Sequence, residues 1–277
     1  MSPVFSFDTT TVHSWEISQP DTSATVNFHR PYVAPPRLPH GLRKLDFGRG
    51  WNIRVQSAID NIQKDSAVYH IITWLDTKLY SGILDSLNLA PANLDILCGG
   101  HSRNCLSDPK SPSDVRINFE RPFVTPPKVV VFFGGFDLCQ SKNWRLSTTA
   151  TNIDKWGFTL NINTWGDTVP HYAQVGWIAY PEDREHIFSA SVSTQDVRPY
   201  YKPQLTQSKD ITFGDVEFLK CPDVFVAFNQ FDIDCKAGFR LNAYVDNVSM
   251  KGLTWHIDTW HDTVLYSAAA TIIAVHW

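Results

Sequence analysis

Along this chain apolar and polar residues alternate with a period of two far more often than they follow a helical period. Phe158-Thr-Leu-Asn-Ile-Asn163 predicts a strand with one buried and one wet face. Val129–Phe133 and Val224–Phe228 are unbroken apolar blocks, as expected of strands covered on both sides. Tyr172–Tyr180 and Ser267–Val275 read as closing strands. Pro35-Pro36 and Pro126-Pro127 cannot sit inside a central strand and mark the bend into the next one. Gly157 and Gly252 break the pattern where a hairpin would turn. A weak helical period runs from Trp51 to Gln63, but its later counterpart, FRLNAYVDNV, reads as strand, so strand is expected in both. The polar stretches Asn93–Asp114 and Pro181–Lys209 read as connectors, the second an ordered loop.

These elements are written three times. Asp46, Arg54 and Trp74 have the separations of Asp137, Arg145 and Trp165, and of Asp232, Arg240 and Trp260. Each tryptophan lies in T-W-x-D-T, at Thr73–Thr77, Thr164–Thr168 and Thr259–Thr263. Upstream, Val26-Asn27-Phe28, Ile117-Asn118-Phe119 and Ile211-Thr212-Phe213 open each copy, and RPYVAPPR recurs as RPFVTPPK. The expected architecture is all-β: three tandem six-stranded antiparallel β-sandwiches over residues 1–93, 94–184 and 185–277. A sandwich of this size is marginal alone, so the three are expected to pack together as a pseudo-trimer, with a homo-oligomer as the other arrangement.

Composition narrows the function. With 43% hydrophobic and 19% charged residues the chain can bury a core, and its aromatic content of 13% suits pleated surfaces. A net charge of −4 argues against a nucleic-acid partner. No apolar stretch is long enough to insert in a membrane, and MSPVFSFDTTTVHSW has no secretory pattern. A cytoplasmic or unconventionally secreted protein is the resulting expectation. The five cysteines do not repeat in register, so no disulfide or zinc framework is expected. The histidines are read as sharing no repeat position, so no metal cofactor is expected.

The repeated residues are Asp, Arg, Trp and a second Asp, without the nucleophile–base pair or Gly-rich phosphate loop that catalysis would ask for. A guanidinium fork, a carboxylate and a flat indole are what a neutral sugar asks for: donors, acceptors and an apolar face. The same residues also fit a purely structural turn, in which Trp plugs the sandwich and Asp76, Asp167 and Asp262 cap it. Residue types alone leave both open.

FERPFVTPPKVVVFFGGFDL…NWR…GFTLNINTWGDT…VGWIAYP resembles the H-type lectin domain of snail agglutinins and of the discoidin C-terminal region. The resemblance extends to QFDID…FRLNAYVDNV…DTWHDTVLYSA and, more partially, to VNFHRPYVAPP…LDF…NIR…TWLDTKLYS. It implies non-enzymatic domains that associate as trimers and bind galactose or N-acetylgalactosamine near the seam between neighbours, without a metal or other cofactor. Glycans ending in those sugars, on glycoproteins or cell surfaces, are the implied partners, and tandem sites would make binding multivalent and agglutinating. The family's arginine falls on Arg54, Arg145 and Arg240, the last with Gly238 in place of Asn in the N-x-R motif. Its tryptophan and the following residue fall on Trp74-Leu75, Trp165-Gly166 and Trp260-His261, and the third copy keeps the snail-type Trp-His. Its tyrosine falls on Tyr80 and Tyr266, with His171 in the second copy. The acidic ligand from an earlier loop falls on Asp108 in the second copy and Asp196 in the third, while the first offers only Asp8 or Asp21. The repeated Asp46, Asp137 and Asp232 are not direct ligands in the family and are expected to hold a strand end near the arginine. The alternative function is a structural or protein-interaction module that has lost sugar affinity.

Overall fold

The computed structural model describes residues 2–104 and 114–277. The first copy contains β1 (Val4–Asp8), β2 (Asp21–Asn27), β3 (His40–Phe47), β4 (Ile53–Asp60), β5 (Ser66–Ile72) and β6 (Leu79–Leu87). The second contains β7 (Leu97–Asn104), β8 (Asp114–Asn118), β9 (Lys128–Leu138), β10 (Trp144–Asp154), β11 (Gly157–Asn163) and β12 (Pro170–Tyr180). The third contains β13 (Ile187–Ser193), β14 (Ser208–Thr212), β15 (Asp223–Ile233), β16 (Phe239–Asp246), β17 (Gly252–Asp258) and β18 (Leu265–Val275). Short 3₁₀ turns, Thr9–Thr11 and Thr194–Asp196, follow β1 and β13. No helix among the described residues is long and apolar enough to cross a membrane.

The polar connectors need correction, because each contains the first strand of the following copy. β7 and β13 pair with β12 and β18 on one side only. An edge strand with a wet flank carries little apolar signal, which is why LCGGHSRN reads as loop. The Trp51–Gln63 region is strand β4, as its third-copy counterpart required.

Each copy splits into two three-stranded sheets packed face to face, β1-β6-β3 on β2-β5-β4 in the first. Neither sheet stops at the copy boundary. β3 pairs with β16, β15 with β10 and β9 with β4, giving three six-stranded antiparallel sheets, each shared by two copies. The copies therefore close into a ring, first to second to third to first.

Near its middle each seam strand shifts register, between Leu42 and Lys44 in β3 and between Phe228 and Gln230 in β15. The same shift falls between Phe133 and Gly135 in β9. Beyond that bulge the strands leave the seam and meet at the pseudo-threefold axis. There the equivalent positions are Gly41, Phe132 and Ala227, one large side chain accommodated by two small ones. A Cβ added at Gly41 would lie 2.6 Å from the Ala227 Cβ and 2.7 Å from the Phe132 ring. Phe132 packs on Phe225 with ring centroids 4.9 Å apart. Strand edges exposed at the axis find side-chain partners: Thr271 donates to the Val131 carbonyl (2.8 Å), and buried Asp85 accepts from the Val226 N–H (3.1 Å). Asp85 also accepts from Arg43 Nε (2.8 Å) and Ser6 (2.6 Å).

Since all three sheets cross copy boundaries, unfolding should be a single transition. Gly41→Ala overpacks the axis and should cost about 1–3 kcal/mol, shifting that whole transition. Urea denaturation followed by tryptophan fluorescence and far-UV dichroism would check this, and a separate phase for one copy would refute it.

Candidate functional site

The recurring Asp-to-Arg spacing has its reason in the seam register. Asp46 stands directly opposite Arg240, Asp137 opposite Arg54 and Asp232 opposite Arg145. Opposite residues of an antiparallel pair put their side chains on one face, so each arginine meets the carboxylate of the next copy. The Nε–carboxylate ion pairs span 3.5 Å at Arg54, 3.3 Å at Arg145 and 3.4 Å at Arg240. These aspartates stand at a strand end beside an arginine, and that arginine belongs to the preceding copy.

Nη1 of each arginine is bound by its own T-W-x-D-T loop: Arg145 to Asp167 at 2.8 Å, Arg54 to Asp76, and Arg240 to Asp262. The last threonine of the motif locks that loop down. Thr77, Thr168 and Thr263 donate to the carbonyls of Asn52 (2.7 Å), Asn143 (2.6 Å) and Gly238 (2.6 Å). The residue after each tryptophan has a left-handed backbone, with φ of +55° at Leu75, +64° at Gly166 and +61° at His261. Only glycine adopts this without strain, so the loop imposes the turn on the other two. The turn aspartates thus orient the guanidinium, a role that the turn-capping reading did not include. Among the described residues the hydrogen bonds of these guanidinium groups are made by Nη1, and none engages Nη2.

The seam aspartates also hold the indoles. Trp165 Nε1 donates to Asp232 at 3.3 Å, and Trp74 and Trp260 approach Asp137 and Asp46 in the same way. Burial raises the carboxyls of Asp46, Asp137 and Asp232 above the ordinary aspartate value, and the facing arginines oppose that rise. The turn carboxylates shift the other way. Hydrogen bonds from Arg145 and Lys142 lower Asp167, and those from His261 and then Arg240 lower Asp262 to about 2. The N-x-R asparagines are seam ties: Asn52 accepts from the Gln140 N–H (3.0 Å) and Asn143 from the Cys235 N–H (3.2 Å).

At the Arg145 seam these groups line a groove of about 570 Å³ with Ser147, Trp165, Gly166, Gln195, Tyr200, Gln230, Asp232 and Ser267. Trp165 is 37% exposed there. A slightly larger hollow, about 610 Å³, lies between Val124 of a proline loop and Leu94. It holds none of the repeated charged residues, so volume does not choose between the two.

The candidate residues fall at the seams in a different grouping from the one their order suggests. Arg and Trp come from one copy, Asp and Tyr from the next. Tyr266 lies within electrostatic reach of Asp232 and Arg145, not with Arg240, and donates to Asp234 (3.0 Å). His171 likewise neighbours Asp137 of the Arg54 seam. Tyr80 lies edge-on to Trp15, the first-copy counterpart of Tyr200, with centroids 6.4 Å apart. The Asp196 side chain turns back to accept from the Ser193 N–H (2.9 Å), and its neighbour Gln195 lines the Arg145 groove. Asp8 caps the first 3₁₀ turn through Thr10 N–H (2.8 Å), and Asp21 pairs with His70 (3.1 Å). Asp108 lies outside the described residues. Sequence reasoning missed Ser147 and Gln230, although each lies two residues along a strand from Arg145 or Asp232 and so on the same face.

One histidine reading is corrected. His70 and His256 do share a position, four residues before their tryptophans, and face Asp60 (3.4 Å) and Asp246 (3.1 Å). The second copy has Asn161 there. Among the described residues no group of three or more His, Cys, Asp or Glu is placed to hold a metal.

The family model of the H-type lectin domain matches three times, at residues 23–85, 114–180 and 208–275. A protein of Fuscovulum blasticum described as "ATP synthase subunits region ORF 7" is 32% identical over 69 residues, 25% of this chain and 60% of that protein. The match thus spans less than two thirds of that relative.

The two kinds of aspartate should titrate in opposite directions from the ordinary 3.8, with Asp262 near 2 and Asp46 above it. Asp262, depressed in the fold, adds stability that is complete above the unfolded value and lost as pH falls toward 2. Asp46, raised in the fold, subtracts stability at neutral pH, and lowering pH through its window restores it. Carboxyl NMR titration checks the order, and Asp262 titrating above Asp46 would overturn the partner assignments.

Proposed function

The chain belongs to the H-type lectin domain family, and from that premise we propose that it is a multivalent lectin for glycans ending in galactose or N-acetylgalactosamine. Carbohydrate binding is the general role that family membership carries. The finer reading rests on one observation: the same arginine, two aspartates and tryptophan assemble at all three seams. Two carboxylates fix each guanidinium, which leaves Nη2 to bridge neighbouring hydroxyls of a sugar. The exposed indole of Trp165 supplies a flat surface for sugar C–H groups, and Ser147, Gln195 and Gln230 supply uncharged donors and acceptors. Pre-fixed groups bind without losing rotamer freedom, which favours a small ligand with few contacts.

The structural alternative is favoured at one seam by a specific observation. Where the other seams carry Ser81 and Ser267 opposite the aspartate, the Arg54 seam carries Tyr172. Its ring lies edge-on to Trp74, centroids 6.4 Å apart, and fills space a sugar would take. Leu75 beside it is 85% exposed. That seam is read as cohesive rather than sugar-binding.

Arg145→Ala and Arg240→Ala should each weaken binding at their own seam roughly tenfold to a hundredfold, the cost of losing a hydrogen-bonded charge, with the fold retained. Arg54→Ala should change sugar binding little. Titration calorimetry with lactose and N-acetylgalactosamine, alongside haemagglutination, tests this. Unchanged binding in the Arg145→Ala, Arg240→Ala double variant would reject the site.

A further inference from the structure

Among the groove-facing positions at which the three seams differ, one differs in charge as well as size. Two residues before the seam aspartate stand Gln230 at the Arg145 seam, Gly135 at the Arg54 seam and Lys44 at the Arg240 seam. Their equivalence is fixed by register, since Gln230 lies opposite Ser147, Gly135 opposite Gln56 and Lys44 opposite Asn242. Gln230 lines the Arg145 groove, so a side chain at this position reaches the space beside the arginine. Lys44 therefore puts an ammonium where the other seams have an amide or nothing. Its Nζ sits 6.0 Å from the centroid of the Trp260 ring.

Charge balance separates this seam from its neighbours. At the Arg145 seam the guanidinium faces Asp232 and Asp167, and the nearby cation Lys142 is spent on Asp167 at 3.2 Å. At the Arg240 seam Asp46 and Asp262 already hold the guanidinium, and His261 Nδ1 lies 2.9 Å from Asp262. Lys44 makes no ion pair within 4.0 Å among the described residues. Acting on Asp46 at longer range, it makes two cations facing two carboxylates at this seam, whereas at the Arg145 seam Arg145 and Lys142 face Asp167, Asp232 and the nearby Asp234; it also lies on the indole that a sugar ring would cover.

We propose that the Arg240 seam prefers an anionic galactoside, its charge carried by a sulfate ester or a carboxylate, whereas the Arg145 seam takes the neutral sugar. This inference rests on the galactoside reading above and adds a ligand class to one seam. The anion would reach Lys44 while the ring lies on Trp260, so attraction adds to stacking instead of replacing it. A pair of charges near a wet surface gives a modest gain, about three- to tenfold in affinity, and one that salt reduces.

The test uses the full chain carrying Arg145→Ala, which leaves the Arg240 seam to report. Calorimetry compares lactose, 3′-sulfated lactose and galacturonic acid at 50 and 500 mM NaCl. At least one anionic probe should bind about three- to tenfold tighter than lactose at low salt, and high salt should remove the difference. Adding Lys44→Gln should abolish the preference and keep lactose binding. In the otherwise unaltered chain, Gln230→Lys should confer the preference on the Arg145 seam. Equal affinities for the three probes, or a preference that survives Lys44→Gln, would overturn the inference while the neutral-sugar reading stands. Loss of lactose binding with Lys44→Gln would also overturn it, making Lys44 a prop for Trp260. Failure of the unaltered chain to bind lactose or N-acetylgalactosamine would remove both readings together.

Discussion

A guanidinium that finds its buried carboxylate only in the next copy is the constraint from which the rest of this molecule follows. Taking both charges out of water costs several kcal/mol per ion, so the pair is weak as a source of net stability. It is strong as a selector of register. A one-residue slip at any seam would set Arg54, Arg145 or Arg240 against an apolar strand position and turn every neighbouring side chain to the wrong face. Each copy gives its arginine to one seam and its aspartate to another, so no copy is complete alone and the order around the ring is fixed. The same carboxylate receives the indole N–H. One buried group thereby sets strand register, guanidinium direction and tryptophan pose.

Carrying the three copies on one chain relaxes a demand that three identical chains would face. Identical chains must place the same residue three times at the axis. Here Gly41, Phe132 and Ala227 share that space, and three phenylalanines or three glycines would overfill or empty it. Asp85 is the polar version of the same freedom. It lies in β6, and its carboxylate satisfies Arg43, Ser6 and a backbone N–H of the third copy. The departure from the repeat is a seal specific to one joint of the ring. Lys44, Tyr172 and Gln230 are the same kind of departure moved to the grooves.

Much of this was legible in the residues, and the limits have physical causes. The Asp–Arg–Trp spacing, the double prolines and the central apolar blocks gave the repeat, the strand content and the family resemblance, because central strands buried on both faces leave unbroken apolar runs. β7 was not legible, since an edge strand needs little apolar face of its own, and the short alternation of β13 (IFSASVS) was lost inside a polar stretch. The pairing of Asp137 with Arg54, and not with nearby Arg145, was hidden because spacing reports what recurs within a copy and is silent on which copy lies across the sheet. For the same reason Tyr266 and His171 were grouped with the wrong tryptophans. Ser147 and Gln230 were within reach of a period-two argument from the two charged anchors, but that argument needs the seam strands to be identified as partners first.

Continuity of the sheets also fixes how the seams sit relative to one another. Loosely tethered domains could adjust the distance between their sites, whereas strands hydrogen-bonded across every seam hold the three seam arginines at fixed separations about one axis. The three arginines stand beside the C-terminal ends of β3, β9 and β15, hence at one end of the ring. Under the proposed function, such a face gains avidity only on a surface whose sugars match its spacing, because an effective concentration falls to nothing when the span is wrong. Unlike grooves then sharpen the requirement: a surface must supply the right sugar at each working seam as well as the right distance. Discrimination between surfaces would thus come from rigidity and from the differences among copies, both of which trace to copies that fold only as parts of one another.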